Sequence, residues 1–463
     1  MVWYNYDIKY WTYSDTVKER TKMKKIISLL ISAMMIFGVF ANVPFTSSAA
    51  EAETEGVSEF CGDYEYTLFS KGTVSIIDYT GDDEEVIIPS ILDGYEVTEI
   101  GWEAFDDCRD ITSIVIPDGV KKIGWYAFRR CYNLENINIP NSVKSMGDYA
   151  FEDCIKLDNV VIPDSITEIG TSVFSGCKSL KNIDIPDSVT SIGESAFRDC
   201  EGLVSIDIPD NVTTIGSYAF YRCLSLTDIT IPDSVESLNW NAFENCTSLK
   251  SIIIPDSVTS IGDYVFYNCT NLVNVKMSDT VTDISGCAFA GCRNLRNISI
   301  PDSVEKISGY AFYDCTSLTS VVIPDSVKSI GNRAFYNCKT LISIVIPDSV
   351  TEIDEDVFYN CNDLMIYGYS DSYAETYANK NSIPFVAIER EPDEMLGDVD
   401  GDSRVSVLDA TAIQKYLVGA GTITDSDIAD TDKNGQVNVL DATAIQKYLV
   451  GMNQESSIGK TVK

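Results

Sequence analysis

The sequence predicts an α/β repeat solenoid, built mainly of short strands and helical turns, followed by a small all-α domain. Two observations lead to this fold class. A pattern of phenylalanine, cysteine and leucine recurs every 23 residues through the middle of the 463-residue chain. Near the C-terminus, two acidic segments 32 residues apart each run into the same thirteen-residue sequence. A fixed period in the twenties is typical of solenoids, in which each unit buries its apolar side only against its neighbours.

The repeat consists of twelve copies of Phe-x-x-Cys, and a leucine follows three residues later in all but the first copy, which has Ile111. Prolines keep the same step from Pro117 to Pro347, with Ser278 as the one interruption. The phenylalanines are Phe105, Phe128, Phe151, Phe174, Phe197, Phe220, Phe243, Phe266, Phe289, Phe312, Phe335 and Phe358. The twelve units account for more than half of the chain.

The elements of one unit follow from its residues. The alternation Ile-Val-Ile at 114–116 predicts a short strand. Pro117 ends that strand because it lacks the N–H that a ladder needs, and Asp and Ser then supply turn residues. After Gly124 we expect a helical turn that contains the alanine and phenylalanine at 127–128. With rungs about 4.8 Å apart, twelve units predict a rod of roughly 60 Å.

The repeat Ile-Pro-Asp-Ser-Val-Thr-Ser-Ile-Gly, combined with Ala-Phe-x-x-Cys, resembles the BspA-like family of bacterial surface repeats over about residues 60–390. The resemblance implies a leucine-rich-repeat-like stack, extracellular adhesion and protein binding, and no catalysis. A solenoid also needs caps at its ends, since terminal rungs would otherwise expose core. We assign residues 51–100 and 364–390 to these caps because both depart from the repeat pattern.

Twelve of the fourteen cysteines form one column, and only Cys61 and Cys287 lie off it. Cysteines in an exported protein often form disulfides. Stacked equivalents, however, have parallel Cβ vectors one rung apart, which exceeds the ~3.8 Å Cβ separation of a disulfide. We therefore expect reduced thiols that pack as small apolar groups.

An aspartate follows the repeat proline in most units, for example at Asp118 and Asp256. A row of carboxylates can bind cations, but aspartate is also what a strand-ending turn prefers. We favour the turn and leave ion binding as the alternative.

The tryptophans downstream of residue 50 share one position, three residues before a repeat phenylalanine: Trp102, Trp125 and Trp240. Tyrosines cluster beside them in other units. Exposed aromatic rings mark contact surfaces for proteins or sugars. The alternative is that these rings only cover the turns. We take Trp102, Trp125 and Trp240 as the possible ligand-binding face of the array.

The acidic segments near the C-terminus have oxygen-bearing side chains at loop positions 1, 3, 5, 9 and 12, which is the EF-hand pattern for calcium. Position 7 would contribute a backbone carbonyl. The predicted ligands of the first loop are Asp398, Asp400, Asp402, Arg404, Ser406 and Asp409. Those of the second loop are Asp430, Asp432, Asn434, Gln436, Asn438 and Asp441. The sequence therefore predicts two Ca²⁺ sites.

Each loop runs into Val-Leu-Asp-Ala-Thr-Ala-Ile-Gln-Lys-Tyr-Leu-Val-Gly, at 407–419 and 439–451, where apolar residues recur at helical spacing. No helix is expected before either loop. Paired calcium loops, each with a following helix, resemble a type I dockerin over residues 396–452. The resemblance implies binding to a cohesin of a cellulosome scaffold. The family's recognition positions correspond to Val407, Leu408, Lys415, Tyr416 and Gly419, and to Val439, Leu440, Lys447, Tyr448 and Gly451. Ser403 departs from the family's usual glycine at loop position 6.

The N-terminal region predicts export. Residues 1–22 resemble no targeting segment, whereas a basic start at 23–25, an apolar run at 26–40 and small residues at 46–50 form a signal peptide. We expect translation to begin at Met23 and cleavage to fall near Ala50. A membrane anchor is the alternative, although the apolar run is short for a bilayer span. No later segment is apolar enough to span a membrane.

The composition excludes several classes of function. The chain has no histidine, which excludes histidine-based catalytic triads and histidine-ligated zinc. Its formal net charge of −36 makes nucleic acid an unsuitable partner, because phosphates would be repelled. The predicted division is an upstream segment at 1–22, a signal peptide at 23–50, an N-terminal cap at 51–100, twelve repeats at 101–363, a C-terminal cap at 364–390, a linker at 391–395, the dockerin at 396–452 and a tail at 453–463.

From these features we predict a secreted, non-catalytic binding or adhesion protein that docks onto a scaffold cohesin and supports polysaccharide degradation by the assembly. Its repeat array would bind an unidentified protein or glycan. A cell-surface adhesin that is independent of a cellulosome is the first alternative. A glycoside hydrolase is the second, since that chemistry needs only two carboxylates.

Overall fold

A computed structural model describes residues 58–388, 396–400, 404–423, 425–449, 458 and 460. The repeats form a β-solenoid of about 14 turns with rungs of about 23 residues, followed by a few helices at the C-terminus. The predicted fold class is therefore confirmed. The segments assigned to the upstream residues 1–22, the signal peptide and the linker lie outside the described residues, as does most of the tail.

The N-terminal strands form hairpins that lead into the solenoid. Strands β1 to β3 pair antiparallel in chain order, and β3 then pairs parallel with β6. The strands are β1 Ser58–Cys61, β2 Tyr64–Leu68, β3 Thr73–Tyr79, β4 Glu85–Ile87, β5 Ile91–Leu92 and β6 Tyr95–Ile100. Because β4 and β6 pair with strands of the first repeats, they continue the two ladders described next.

Each repeat contributes to two parallel ladders. The first ladder comprises β8 Lys122–Ile123, β10 Ser145–Met146, β12 Glu168–Ile169, β13 Ser191–Ile192, β15 Thr214–Ile215, β18 Ser260–Ile261, β20 Asp283–Ile284, β21 Lys306–Ile307, β23 Ser329–Ile330 and β25 Glu352–Ile353. The second comprises β7 Ser113–Val115, β9 Asn136–Asn138, β11 Asn159–Val160, β14 Ser205–Ile206, β16 Asp228–Ile229, β17 Ser251–Ile253, β19 Asn274–Lys276, β22 Ser320–Val322, β24 Ser343–Val345 and β26 Met365–Gly368. The strand expected before each proline is the second ladder, and the first ladder was not predicted.

The segment that connects a first-ladder strand to the next second-ladder strand also differs from the predicted helical turn. The segment around each repeat phenylalanine is a series of turns, not a helical turn, and it holds two left-handed residues such as Tyr126 (φ 57°) and Arg130 (φ 58°). A left-handed conformation costs a non-glycine residue roughly 1–2 kcal/mol. It is offset here by hydrogen bonds between rungs, since the N–H groups of Tyr126, Phe128 and Arg130 donate to carbonyls of the next rung at 3.1, 2.8 and 2.7 Å. The turn face is the surface formed by positions −3, −2, +1 and +2 relative to each repeat phenylalanine.

The phenylalanines form the centre of the core. Their rings stack from Phe105 to Phe358 with centroids 5.1–5.7 Å apart. Tyr79 stacks on the first ring at 5.2 Å, and Tyr377 meets the last ring edge-on at 5.9 Å. Two tyrosines outside the repeat pattern thus close the ends of the aromatic stack.

The aspartate row belongs to a turn. In each Pro-Asp-Ser-Val segment the valine N–H donates to the proline carbonyl, as from Val189 to Pro186 at 3.0 Å. In most of these segments the serine hydroxyl donates to a valine or isoleucine carbonyl of the preceding rung, as from Ser188 to Ile166 at 2.6 Å. The Ser349 hydroxyl is the exception, with no partner in the described residues. The serine therefore links the rungs, and among the described residues the row forms no group of three carboxylates that could hold a metal.

The cysteine column has a second role that sequence reasoning missed. All fourteen cysteines are free thiols, which the parallel geometry had predicted for the twelve of the column. Eleven of them, from Cys131 to Cys361, donate from Sγ to the carbonyl of the phenylalanine 26 residues earlier, as from Cys131 to Phe105 at 3.1 Å. Each thiol thereby joins two rungs inside the core.

Burial also predicts how the thiols react. Desolvation raises the pKa of column thiols such as Cys154 and Cys223, which lowers the fraction of reactive thiolate. We expect the ten fully buried cysteines from Cys131 to Cys338 to resist Ellman's reagent at pH 8 in the native protein. The partly exposed Cys61, Cys108 and Cys287 should react. All fourteen should react in guanidinium, and prompt native labelling of the ten fully buried cysteines would contradict the packing.

The described residues after the repeats form four helices and a last strand. They are α1 Tyr373–Asn381, β27 Phe385–Ala387, α2 Val407–Leu417, α3 Ser426–Ala429 and α4 Val439–Leu449. Strand β27 pairs parallel with β26, and α1 places Ala374 and Ala378 in the solenoid core. The expectation that no helix precedes either calcium loop is wrong for the second loop, because α3 ends directly before it. Four residues are too short to show helical periodicity, and its N-cap Asp425 was the one available signal.

Candidate metal centres and binding surfaces

The first loop brings three of its predicted ligands together. Carboxylate oxygens of Asp398, Asp400 and Asp409 all lie within 4.8 Å of one another. Asp409 is fully buried at the start of α2. One of its oxygens accepts from the N–H groups of Val399 and Asp400 at 2.6 and 3.0 Å, and the other accepts from Ser406 at 2.7 Å. The carboxylate is therefore fixed by the loop and by the capping box of the helix.

The structure says less about the other predicted calcium ligands of this loop. Ser406 is the N-cap of α2, and its hydroxyl accepts from the Leu408 N–H at 3.0 Å. Arg404 is exposed. Asp402 and Ser403 lie outside the described residues. Ligation by Arg404, Ser406 and Asp402 stays a prediction.

The second loop repeats the arrangement. Oxygens of Asp430, Asp432 and Asp441 again lie within 4.8 Å of one another. The fully buried Asp441 accepts from the N–H groups of Asp432 and Asn438, at 3.3 and 2.8 Å. The side-chain oxygen of Asn434 accepts from the Gln436 N–H at 3.0 Å. The same acidic positions therefore converge in both copies.

These two groups have the chemistry of calcium sites. Three carboxylates whose oxygens lie within 4.8 Å of one another repel, and the buried position of Asp409 and Asp441 strengthens the repulsion. A divalent cation removes it, and oxygen donors alone suit Ca²⁺ better than a transition metal. Elsewhere in the described part of the chain, no group of three acidic, cysteine or histidine side chains converges in this way.

The helices that follow the loops present matching surfaces. Ala410 and Ile413 of α2, and their counterparts Ala442 and Ile445 of α4, are fully buried in one small core. On the opposite side, Val407 and Leu408 are 61% and 59% exposed. Their counterparts Val439 and Leu440 are 59% and 61% exposed. The two copies thus offer nearly equal apolar pairs to a partner.

The other predicted contact residues lie on the same helices. Lys415, Tyr416, Lys447 and Tyr448 are exposed, and Gly419 is left-handed just beyond α2. Gly451 lies outside the described residues. The structure adds exposed apolar side chains that were not predicted as contacts: Leu417, Val418 and Leu449. Leu417 and Leu449, which lie at helical spacing from the buried isoleucines, are both more than 40% exposed.

The tryptophans occupy position −3 of the turn face. Trp102, Trp125 and Trp240 are 55%, 56% and 64% exposed, so at least half of each side chain is open to solvent. Beside them, the Tyr126 and Tyr149 rings stack at 4.7 Å, and the Arg129 guanidinium lies 4.3 Å from the Tyr126 ring centroid. The turn face therefore carries aromatic groups that are available for contact.

The solenoid and its aromatic turns define a repeat protein of the leucine-rich-repeat class, joined to a calcium-loop module. A model of the BspA type leucine rich repeat region matches residues 98–223, 167–296 and 237–365, which is more than half of the chain. The protein belongs to this family. A model of the dockerin type I domain matches residues 396–460. The resemblances read from the sequence are thereby confirmed.

Solved structures agree with the fold. A leucine-rich repeat protein from Bacteroides ovatus is 29% identical, with a TM-score of 0.56 over 72% of this chain and 100% of that chain. The pneumococcal vaccine antigen PcpA is 21% identical, with a TM-score of 0.50 over 72% and 99% of the two chains, and supports the fold alone. No curated protein matches the chain.

The two families are non-catalytic, and together they indicate cohesin docking or adhesion by an extracellular or cell-surface protein. Dockerins of this type bind calcium, which agrees with the acidic groups of the two loops. Among the described residues, no helix has the length and apolar character needed to cross a bilayer.

Proposed function

We propose that the protein is secreted and docks through residues 396–452 onto a scaffold cohesin, where its repeat array serves polysaccharide-degrading partners as a non-catalytic binding component. The duplicated, exposed Val-Leu pairs carry this proposal. An apolar pair that is about 60% exposed on each helix is costly in water and is suited to a buried interface. Calcium at Asp398, Asp400 and Asp409, and at Asp430, Asp432 and Asp441, would hold the helices that present these pairs.

The charge of the chain fits this role. A net charge of −36 keeps an extracellular protein soluble and repels anionic surfaces. Within the docking module, Lys415 and Lys447 lie in the last turns of α2 and α4, near the exposed Tyr416 and Tyr448. We infer that the lysines and tyrosines surround the apolar pairs and orient the cohesin.

A pull-down with scaffold cohesins tests the proposal against the cell-surface adhesin. Retention of the full chain by a cohesin in calcium supports docking, whereas binding to cells without any cohesin binding would favour the adhesin. A reducing-sugar assay of the purified chain on plant polysaccharides tests the glycoside hydrolase. We expect no release above a buffer control, and sustained release would overturn the non-catalytic assignment.

The exposed tryptophans give a prediction for the array. Because Trp102, Trp125 and Trp240 are at least half exposed, replacing all three with Ala should change the melting temperature by less than about 2 °C, as for surface substitutions of about 0.5 kcal/mol or less. Binding of the array's ligand should weaken. Phe220→Ala, in the buried stack, is the matched control and should melt much earlier. A sharp loss of melting temperature in the tryptophan variant would mean that these rings serve packing.

A further inference from the structure

Position −2 of the turn face holds tyrosine in five units, and two serines interrupt this column between Tyr149 and Tyr218. The interrupting residues are Ser172 and Ser195, which are left-handed (φ 52° and 56°) like the tyrosines of the column (φ 57–61°). Position +1 changes in the same place, where Ser175 follows Glu152. The smaller side chains leave a cleft of about 490 Å³ across three rungs. This volume is typical of small-ligand sites.

The floor of the cleft carries hydroxyl groups without protein partners. Ser172, Ser175 and Ser195 line the cleft and are 6%, 8% and 7% exposed. Within the described part of the chain, none of these three hydroxyls forms a hydrogen bond. Most serines of the proline turns instead pair between rungs, as Ser188 does with the Ile166 carbonyl at 2.6 Å. The hydroxyl oxygens of these serines are open to solvent, since Ser349 carries the one fully buried, unpartnered hydroxyl of the described residues, and the cleft hydroxyls are therefore available to a ligand.

The walls combine an aromatic ring with free carboxylates. Tyr149 lines one end, and its ring is held by stacking on Tyr126. Glu152 and Asp153 are half-buried and form no ion pair within the described residues. Burial raises the pKa of both carboxyls. Arg198 also lines the cleft, with its guanidinium 5.2 Å from the Tyr221 ring centroid.

This lining selects against anions and metal ions. Glu194 and Asp199 join Glu152 and Asp153 around the cleft, so an anion would be repelled. A metal ion is unsuited as well, because these carboxylates do not converge as the described loop carboxylates do. A ligand with many neutral hydroxyls can donate to the carboxylates, accept from the arginine and the serines, and lay its C–H face on the tyrosine ring.

We propose that the cleft between Tyr149 and Arg198 binds a neutral saccharide. The proposal deepens the binding role assigned to the array, but it is independent of docking, since no residue of the C-terminal module takes part. It also differs from the tryptophan surface, because the contacts here are buried hydroxyls and carboxylates in a concave site.

The repeat itself supplies the variant that tests this. Tyrosine stands at position −2 on consecutive rungs at Tyr126 and Tyr149, so Ser172→Tyr with Ser195→Tyr should fill the cleft in a conformation that the fold already accepts. Asn241→Tyr is the matched control, since Asn241 is left-handed in the same column but outside the cleft. Glu152→Gln provides a second variant that keeps the shape and removes one charge.

The full chain is titrated calorimetrically, without any cohesin, with cellohexaose, xylohexaose, mannohexaose and hexagalacturonate. We expect a neutral oligosaccharide to bind the wild type and Asn241→Tyr equally. Filling the cleft should weaken binding at least tenfold with unchanged melting, and Glu152→Gln should weaken it severalfold. Failure of all three neutral probes, preference for hexagalacturonate, or full affinity after filling would overturn the proposal. None of these outcomes affects cohesin docking, which is measured separately.

Discussion

Removing calcium is expected to unfold the C-terminal module while the solenoid stays folded. Each loop gathers three carboxylates within 4.8 Å, and one of each three is fully buried. Without a cation their repulsion opposes folding, and the small core of Ala410, Ile413, Ala442 and Ile445 with few neighbours cannot offset it. The solenoid core is built from stacked phenylalanines and interstrand hydrogen bonds, none of which needs a metal.

Circular dichroism and calorimetry of the full chain measure this result. In calcium we expect two melting transitions, and with excess chelator only that of the solenoid, together with a loss of helical signal. Asp409→Asn with Asp441→Asn should weaken calcium binding and lower the first transition. Asp425→Asn is the control, because Asp425 caps α3 outside both loops and asparagine caps equally well. A helical signal that chelator leaves unchanged would contradict the account.

The second large effect concerns the duplicated docking surface. Replacing Val407, Leu408, Val439 and Leu440 with Asp should abolish cohesin binding, since no exposed Val-Leu anchor remains. Replacing either pair alone should cost only the statistical factor of two, about 0.4 kcal/mol. The reason is that the two helices have identical sequences and nearly equal exposures, so a half-turn of the module presents almost the same surface.

Titration calorimetry of the three variants with one cohesin decides between one orientation and two. Each single-pair variant is the control for the other, because both add the same charges to equivalent positions. Melting temperatures in calcium show whether the module still folds. A loss above roughly 2 kcal/mol in only one single-pair variant, a change of about 30-fold in Kd, would show that one orientation dominates.

The strict repeat made the solenoid predictable, but the backbone conformation within each repeat could not be predicted as well. Phe128 and Cys131 were assigned to the core because a column that never varies must meet the same environment in every rung. The first ladder was missed because its strands, such as Lys122–Ile123, are two residues long and show no measurable alternation. The left-handed turns were missed because tyrosine and arginine, as at Tyr126 and Arg130, rarely adopt that conformation without the hydrogen bonds of neighbouring rungs.

In the C-terminal module, too, some features could be predicted from the sequence and others could not. Loop spacing placed Asp398, Asp400 and Asp409 in one group because alternate positions of a tight loop converge, and the structure brings their oxygens together. Helical spacing alone did not distinguish the buried Ile413 from Leu417, which is 41% exposed because a core this small cannot cover a wide apolar stripe. The serine-lined cleft could not be predicted, since it forms where the side chains of Ser172 and Ser195 are smaller than the tyrosines at the same position of neighbouring rungs.

One measurement tests the central claim most directly: titration of the full chain with a scaffold cohesin of the type I class, in calcium and in excess chelator. The account predicts saturable binding with one cohesin per chain in calcium, and no detectable heat of binding after chelation. Absence of binding in calcium across a panel of such cohesins, or equal binding in both conditions, would contradict a calcium-dependent docking function.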